Sequence, residues 1–322
     1  MHSMRRNVVV ENRFRFTFIY RGIDFVDDRE ALKGVKVPVL DHGHVILLDF
    51  MGCDADIVDA ARTSYQTGTK QISDESTLLK YLMRHRHSTP FEMAEIKFHV
   101  RVPMDTWRQW IRHRTANVNE YSTRYSEAID DAATTNPDAW RLQSATNKQG
   151  SGNTIGDPEI GARLSEREAS FLKQAREVYE ERLTFGVARE QARKDLPLST
   201  YTEAIWKIDL HNLFHFLGLR MDSHAQKEIR DYATAIGQEF IAKLFPNCWE
   251  AFVDYRLNAL TLHGQEIATV AKAMASWFDH TLGMPSREHW MKCIPEPWKL
   301  PKCRERDEFF EKLFRLGLLI PF

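Results

Sequence analysis

Cysteine is scarce and unpatterned. Only four occur in 322 residues (Cys53, Cys248, Cys293, Cys303), with no CxxC spacing and no metal-finger arrangement. That excludes a zinc ribbon or a disulfide scaffold and fits reduced thiols. No stretch approaches the ~18 consecutive apolar residues of a membrane span. The opening MHSMRRNVVVENR has no apolar core for a secretion signal. The expectation is a cytoplasmic protein with no membrane partner. Charge of one sign is also lacking, with 44 basic residues against 45 acidic, so no broad positive field invites nucleic acid. Three familiar fingerprints fail as well. Residues 150–156, GSGNTIG, have the wrong spacing for a dinucleotide loop and no apolar strand before them. No Gly-x-Ser-x-Gly elbow activates a serine. His211 and His215 stand four apart, but Asn212 occupies the position where a zinc-binding H-E-x-x-H requires Glu. The expectation is no metal, with both imidazoles lying along a bound aromatic or phosphate group.

What the chain does have is concentrated in residues 112–125, RHRTANVNEYSTRY. Arg112, Arg114 and Arg124 share the segment with His113, two amides (Asn117, Asn119), three hydroxyls (Tyr121, Ser122, Thr123) and one acid, Glu120. Residues 101–125 hold five arginines against two acids. A local cationic patch on a neutral body suits a small anion, because guanidinium forks match phosphate oxygens two by two. Each arginine alone would ordinarily be a solvent-facing salt-bridge partner. Three interleaved with amides and hydroxyls point to a ligand, with Ser122 a phosphate contact rather than a nucleophile. The competing reading is a nucleotide- or RNA-binding module that stacks bases on the same segment.

Periodicity gives the scaffold. Residues 13–20 (RFRFTFIY), 45–50 and 95–102 (EIKFHVRV) alternate as strands. Residues 76–86 have helical spacing, and a helix starting after Pro103 buries Trp107 and Trp110, so the arginine segment leaves its last turn as a loop. Residues 129–166, rich in Gly, Asn-Pro and Asp-Pro, read as a long loop or lid. Phe171 to Leu183 form an apolar stripe closed by Gly186, residues 187–195 form a short polar helix, and 209–219 and 222–244 make a helical pair capped by Asp209 and Asp222. After Tyr255 the chain is helical and aromatic. The class is α+β.

These segments together resemble the flavin-dependent thymidylate synthases, the ThyX type. The signature Arg-His-Arg, seven residues, Ser stands as Arg112-His113-Arg114, TANVNEY, Ser122. ARTSY (61–65), HSTPFE (87–92), RQWIRHR (108–114), ARKDLP (192–197) and LRMDSHAQ (219–226) follow the family's blocks in order. The resemblance implies an antiparallel sheet packed with helices over 40–255, an N-terminal extension over 1–39 and a helical extension over 256–322. It implies conversion of dUMP to dTMP with methylenetetrahydrofolate, FAD and NADPH, without a cysteine nucleophile, in a homotetramer with shared active sites. Cys293 and Cys303 follow a lysine each and lie outside every block. Carried over, Arg220 and His87 are the catalytic residues, Arg220 stabilising an ionised uracil. Gln109, Trp110, Ile111, Arg112, Glu120, Tyr121, Ser122, Thr123, Arg124, Arg193 and Arg220 hold dUMP. Ser64, Thr89, Arg112, His113, Arg114, Glu120, Asp209, Leu210, His211 and His215 hold FAD. Asp209, Leu210, His211 and His215 depart from the family, which often has Asn-Ala-Arg and a later Asn there.

Overall fold

The protein is described by a computed structural model covering residues 28–64, 74–145, 148, 150–278, 286–299, 304–316 and 318–319. The strand expected at 13–20 lies outside the described residues. Two compact units divide the chain, 1–252 and 253–322.

Five antiparallel strands build the first unit: β1 (Lys36–Val39), β2 (Gly43–Met51), β3 (Glu95–Pro103), β4 (Asn117–Glu120) and β7 (Tyr201–Asp209), in spatial order β1-β2-β3-β7-β4. Strand β1 falls in the stretch expected to precede the domain. It belongs to the sheet because Lys36 to Val39 pair with Ile46 to Gly43. β3 buries Ile96, Phe98, Val100 and Val102 on one face, and β7 buries Thr202, Ala204, Trp206 and Ile208 on the same face. Gly43 permits the tightest contact of this layer. A Cβ there would lie 1.9 Å from the Tyr232 hydroxyl and under 3 Å from two backbone oxygens.

Helices complete the first unit, the third, sixth and seventh of them packed on the strands. They are α1 (Asp54–Arg62), α2 (Glu75–Arg84), α3 (Met104–Trp110), α4 (Pro158–Thr184), α5 (Arg189–Ala192), α6 (Leu210–Arg220), α7 (Lys227–Ala235), α8 (Ala242–Leu244) and α9 (Pro246–Phe252). The centre is aromatic. The Trp110 ring meets Trp206 edge-on at 5.1 Å, Phe216 at 4.9 Å and Tyr232 at 5.7 Å, while Phe98 stacks on Trp206 at 6.2 Å. Such rings contribute area and ~0.5–1.5 kcal/mol per pair beyond it.

Several expectations are corrected here. Residues 129–166 are not one long loop: a hairpin, β5 (Arg141–Gln143) with β6 (Ser151–Thr154), interrupts them, and α4 already begins at Pro158. Asp157 caps that helix, accepting from the Glu159 and Ile160 amides, so the Asp-Pro pair is a helix start rather than a loop signal. α4 fully buries only Gly161 and Tyr179; Leu172, Ala175, Val178 and Leu183 are half-buried, and Phe171 at the start of the stripe is 59% exposed. Asp222 does not cap α7. Its carboxylate accepts from the His224 amide at 2.8 Å, and the helix starts five residues later. Lastly, α3 ends at Trp110, and the arginine segment contains the edge strand β4.

The second unit holds α10 (Gly264–Phe278), α11 (Arg287–Cys293) and α12 (Arg304–Arg315) around Trp290, Trp298, Phe309 and Leu313. Within it the buried Glu266 receives the Lys312 ammonium on both oxygens, at 2.7 and 2.8 Å. Cys293 is buried in this core. Among the described residues no helix is long and apolar enough to cross a membrane.

Candidate functional site

The chain leaves α3 at Ile111, whose amide closes on the Trp107 carbonyl, and turns through residues 112–116 before pairing with β7. The turn faces the first helix after β7. Arg112, His113, Arg114 and Thr115 therefore line a cleft of about 330 Å³ with Ile208, Asn212, His215, Leu219 and Arg220. One wall comes from residues of the signature and the other from α6, about 100 positions later in the chain.

Arg220 is the hinge of this cleft. Its Nε donates to His113 Nε2 at 3.0 Å and its Nη2 donates to the Gln109 carbonyl at 3.3 Å. The second bond satisfies an orphan carbonyl at the C-terminus of α3, where a cation is favoured. His113 can accept only as neutral imidazole with its proton on Nδ1. Burial first, then Arg220 and His215, bring its pKa from 6.5 to about 4. Burial also lowers the Arg220 guanidinium from its ordinary value. Among the described residues no carboxylate pairs with Arg220, Arg112 or Arg114, so the field of the cleft is left uncompensated. The His113 ring lies 5.7 Å from His215 and 5.0 Å from Phe216. Asp209 is occupied elsewhere, accepting from the Asn212 amide at 2.9 Å and from its side chain at 2.7 Å as the cap of α6. It thereby holds Asn212 in the cleft lining, a residue the sequence reading gave no role.

The other expected site residues form two further groups. Ser64, His87 and Thr89 line a second cleft of about 720 Å³ with Tyr81, Leu82 and Met93. The His87 ring is 5.8 Å from Tyr81. The third group surrounds the end of β4. Glu120 accepts from the Thr202 hydroxyl at 2.9 Å, the Tyr121 amide donates to the Glu203 carbonyl at 2.7 Å, and Arg193 Nη1 donates to the Thr123 hydroxyl at 2.5 Å. The Ser122 carbonyl receives the Tyr125 and Ser126 amides at 3.1 Å. Arg124 approaches Glu190 at 3.6 Å with both side chains more than half exposed, a pair worth little.

Trp110 and Leu210 are fully buried in the core, so any ligand contact there is made by their main chain. Trp110→Ala would cost roughly 3–5 kcal/mol of stability. Ile111 and His211 are half-buried, and His211 lines neither cleft. Two thiols are unsuited to nucleophilic work. Burial, then Asp56, raises the Cys53 pKa, and burial with Asp54 drives that of Cys248 well up. Among the described residues no group of His, Cys, Asp or Glu converges to hold a metal ion.

Two imidazoles whose pKa burial lowers, His44 in the core and half-buried His113, predict an acid-labile fold. His44 is 5% exposed, and neither ring nitrogen finds a partner among the described residues; burial foremost holds its pKa at about 4. The unfolded chain binds these protons near pH 6.5, so it takes up more protons than the native state between pH 6.5 and 4. Stability therefore falls as pH drops through that window, by at most ~1.4 kcal/mol per pH unit for each bound proton. Denaturant midpoints measured from pH 7 to 4 should fall, and His44→Leu should flatten the slope. An unchanged slope in that variant would assign the acid effect elsewhere.

The comparisons with known proteins agree with this architecture. The family described as thymidylate synthase complementing protein matches residues 46–247. The flavin-dependent thymidylate synthase of Wolbachia pipientis wMel is 49% identical over 247 residues, covering 77% of this chain and 86% of that protein. That of Ruegeria pomeroyi is 47% identical over 257 residues, covering 78% and 84%. Among solved structures, the UMP/dUMP methylase PolB from Streptomyces cacaoi bound with 5-Br dUMP is 32% identical with a TM-score of 0.59, covering 69% of this chain and 99% of that one. An antiparallel α+β scaffold with an uncompensated arginine cleft thus carries the sequence of a nucleotide-modifying class of enzymes. The chain belongs to the flavin-dependent thymidylate synthase family. It is accordingly an enzyme that forms thymidylate with a flavin cofactor.

Proposed function

We propose that this enzyme converts dUMP to dTMP, taking a methylene group from methylenetetrahydrofolate, with FAD as its flavin and NADPH as reductant. The observation that carries the reading is Arg220, a half-buried cation tied to neutral His113 and to Gln109. A guanidinium has five N–H donors, and those two bonds leave three for a ligand in the cleft. Placed beside the uracil ring, this fixed charge lowers the cost of an anion at N3, which makes C5 nucleophilic toward the methylene carbon. Because His113 stays neutral, it does not compete for that anion. No thiolate is needed, in keeping with the raised Cys53 and Cys248 pKa values.

The donor set fits a flavin dinucleotide. Arg112 and Arg114 have no acidic partner among the described residues and can neutralise its pyrophosphate, while Asn212 and His215 add polar contacts on the opposite wall. Reduced FAD supplies the hydride when bound. In the third group Arg193, Arg124, Ser122 and Glu120 would hold the dUMP phosphate and ribose, and in the second cleft His87, Ser64 and Thr89 would meet flavin and folate. We read these groups as joined across subunits of a homotetramer, because within one chain they line separate clefts that share no residue. The test is dTMP formation from dUMP and methylenetetrahydrofolate with NADPH. Product that appears only with FAD supports the reading, and FAD-independent product contradicts it.

A further inference from the structure

Gln109 is held at both ends. Its carbonyl accepts from Arg220 at 3.3 Å, and its side-chain Nε2 donates to Gln226 Oε1. Gln226 Nε2 in turn donates to Asp105 Oδ2 at 3.2 Å. The other Asp105 oxygen accepts from the Thr106 amide at 2.6 Å, which anchors the carboxylate to the first turn of α3. The chain Asp105–Gln226–Gln109 therefore bridges α3 to the residue just before α7.

An ionised carboxylate only accepts hydrogen bonds, whereas an amide presents a donor on one side and an acceptor on the other. Asp105 accordingly forces Gln226 to turn its NH2 inward. Gln226 then offers its oxygen to Gln109, which must turn its own NH2 to meet it. Among the described residues the Gln109 Oε1 is left as an acceptor with a fixed direction. Two carboxylates, Asp105 and Glu228, thus draw the Gln226 NH2 and set the sense of both amides, neither of which would choose a sense in isolation.

We propose that Gln226 is a positioning residue for the nucleotide. It holds the Gln109 amide so that Oε1 faces an N–H or O–H group of dUMP, and it keeps the Gln109 carbonyl under Arg220. This rests on Gln109 touching dUMP, as proposed above. Gln226 touches no ligand itself and acts through Gln109.

The test measures the dUMP dissociation constant, flavin content and melting temperature for Gln109→Ala, Gln226→Ala and the double variant. The expected result is a roughly tenfold weaker dUMP affinity in Gln226→Ala, the size of one lost buried hydrogen bond. Flavin content should be unchanged, and the double variant should bind no worse than Gln109→Ala. A second arm reverses the charge order. Gln226→Glu sets a carboxylate against both Asp105 and Glu228 and should weaken dUMP further. Adding Asp105→Asn restores a donor at position 105 and an acceptor toward Gln109, and with Glu228 held by Arg141 it should bind dUMP more tightly than Gln226→Glu alone. If Gln109→Ala weakens dUMP while Gln226→Ala binds normally, or if the two losses add, the positioning role is wrong and the site reading stands. If Gln109→Ala itself binds dUMP normally, both are overturned.

Discussion

Replacing Arg220 by alanine is expected to leave flavin on the enzyme and to lower dTMP formation by roughly 10³-fold, the size of effect seen when a preorganised charge is removed from a developing anion. The flavin should remain because Arg112, Arg114, Asn212 and His215 are untouched, and they make up most of the polar cleft lining. The variant also removes the donor to His113 Nε2. His113 stays neutral nonetheless, since burial is the largest cause of its low pKa. Arg220→Lys separates charge from geometry. One ammonium cannot reach His113, the Gln109 carbonyl and a uracil together in a planar fork, so it should recover only part of the rate. The check is turnover per bound flavin, with flavin counted from its absorbance. Near-normal turnover in Arg220→Ala would remove this residue from the chemistry.

Arg193→Ala should act on the nucleotide instead, raising the KM for dUMP by roughly 10²-fold with flavin affinity unchanged, as expected for a charge-assisted bond to phosphate worth ~1.5–3 kcal/mol. Arg193 is braced by the Thr123 hydroxyl at 2.5 Å, a neutral partner that directs the guanidinium without cancelling its charge. Arg124, more than half exposed and loosely paired with Glu190, is less fixed, so Arg124→Ala should cost less. Steady-state kinetics and flavin titration on both variants decide it. Equal loss of dUMP and flavin would make Arg193 a structural brace between its helix and the turn after β4.

The polar residues that line this cleft stood out in the sequence more plainly than the strands that position them. β3 was readable because Ile96, Phe98, Val100 and Val102 alternate without a break. Its central neighbour β7 was not, since the core-facing positions include Thr202 and Ala204 while Ile205 points outward at 43% exposure. β4 was hidden for another reason. All four of its residues are exposed on a sheet edge, so no apolar alternation marks them, and their pairing depends on a strand more than 80 residues away. Pro158 was misread because Asp-Pro serves equally as a turn and as a capped helix start. The arginines, His113 and the Asp209 cap could be named from residue type and spacing. That Trp110 faces the core was legible from the helical spacing after Pro103, whereas the bond from Gln109 to Gln226 joins α3 to a residue more than 100 positions away.

The central claim is a flavoenzyme whose cofactor answers to dUMP. It is tested most directly by recording the absorbance of the purified protein, supplemented with FAD if colourless, and adding NADPH without oxygen in the presence and absence of dUMP. The account predicts the two visible bands of oxidised flavin, bleached faster when dUMP is present. A protein that takes up no FAD, or whose flavin is reduced at the same rate with and without dUMP, would contradict it.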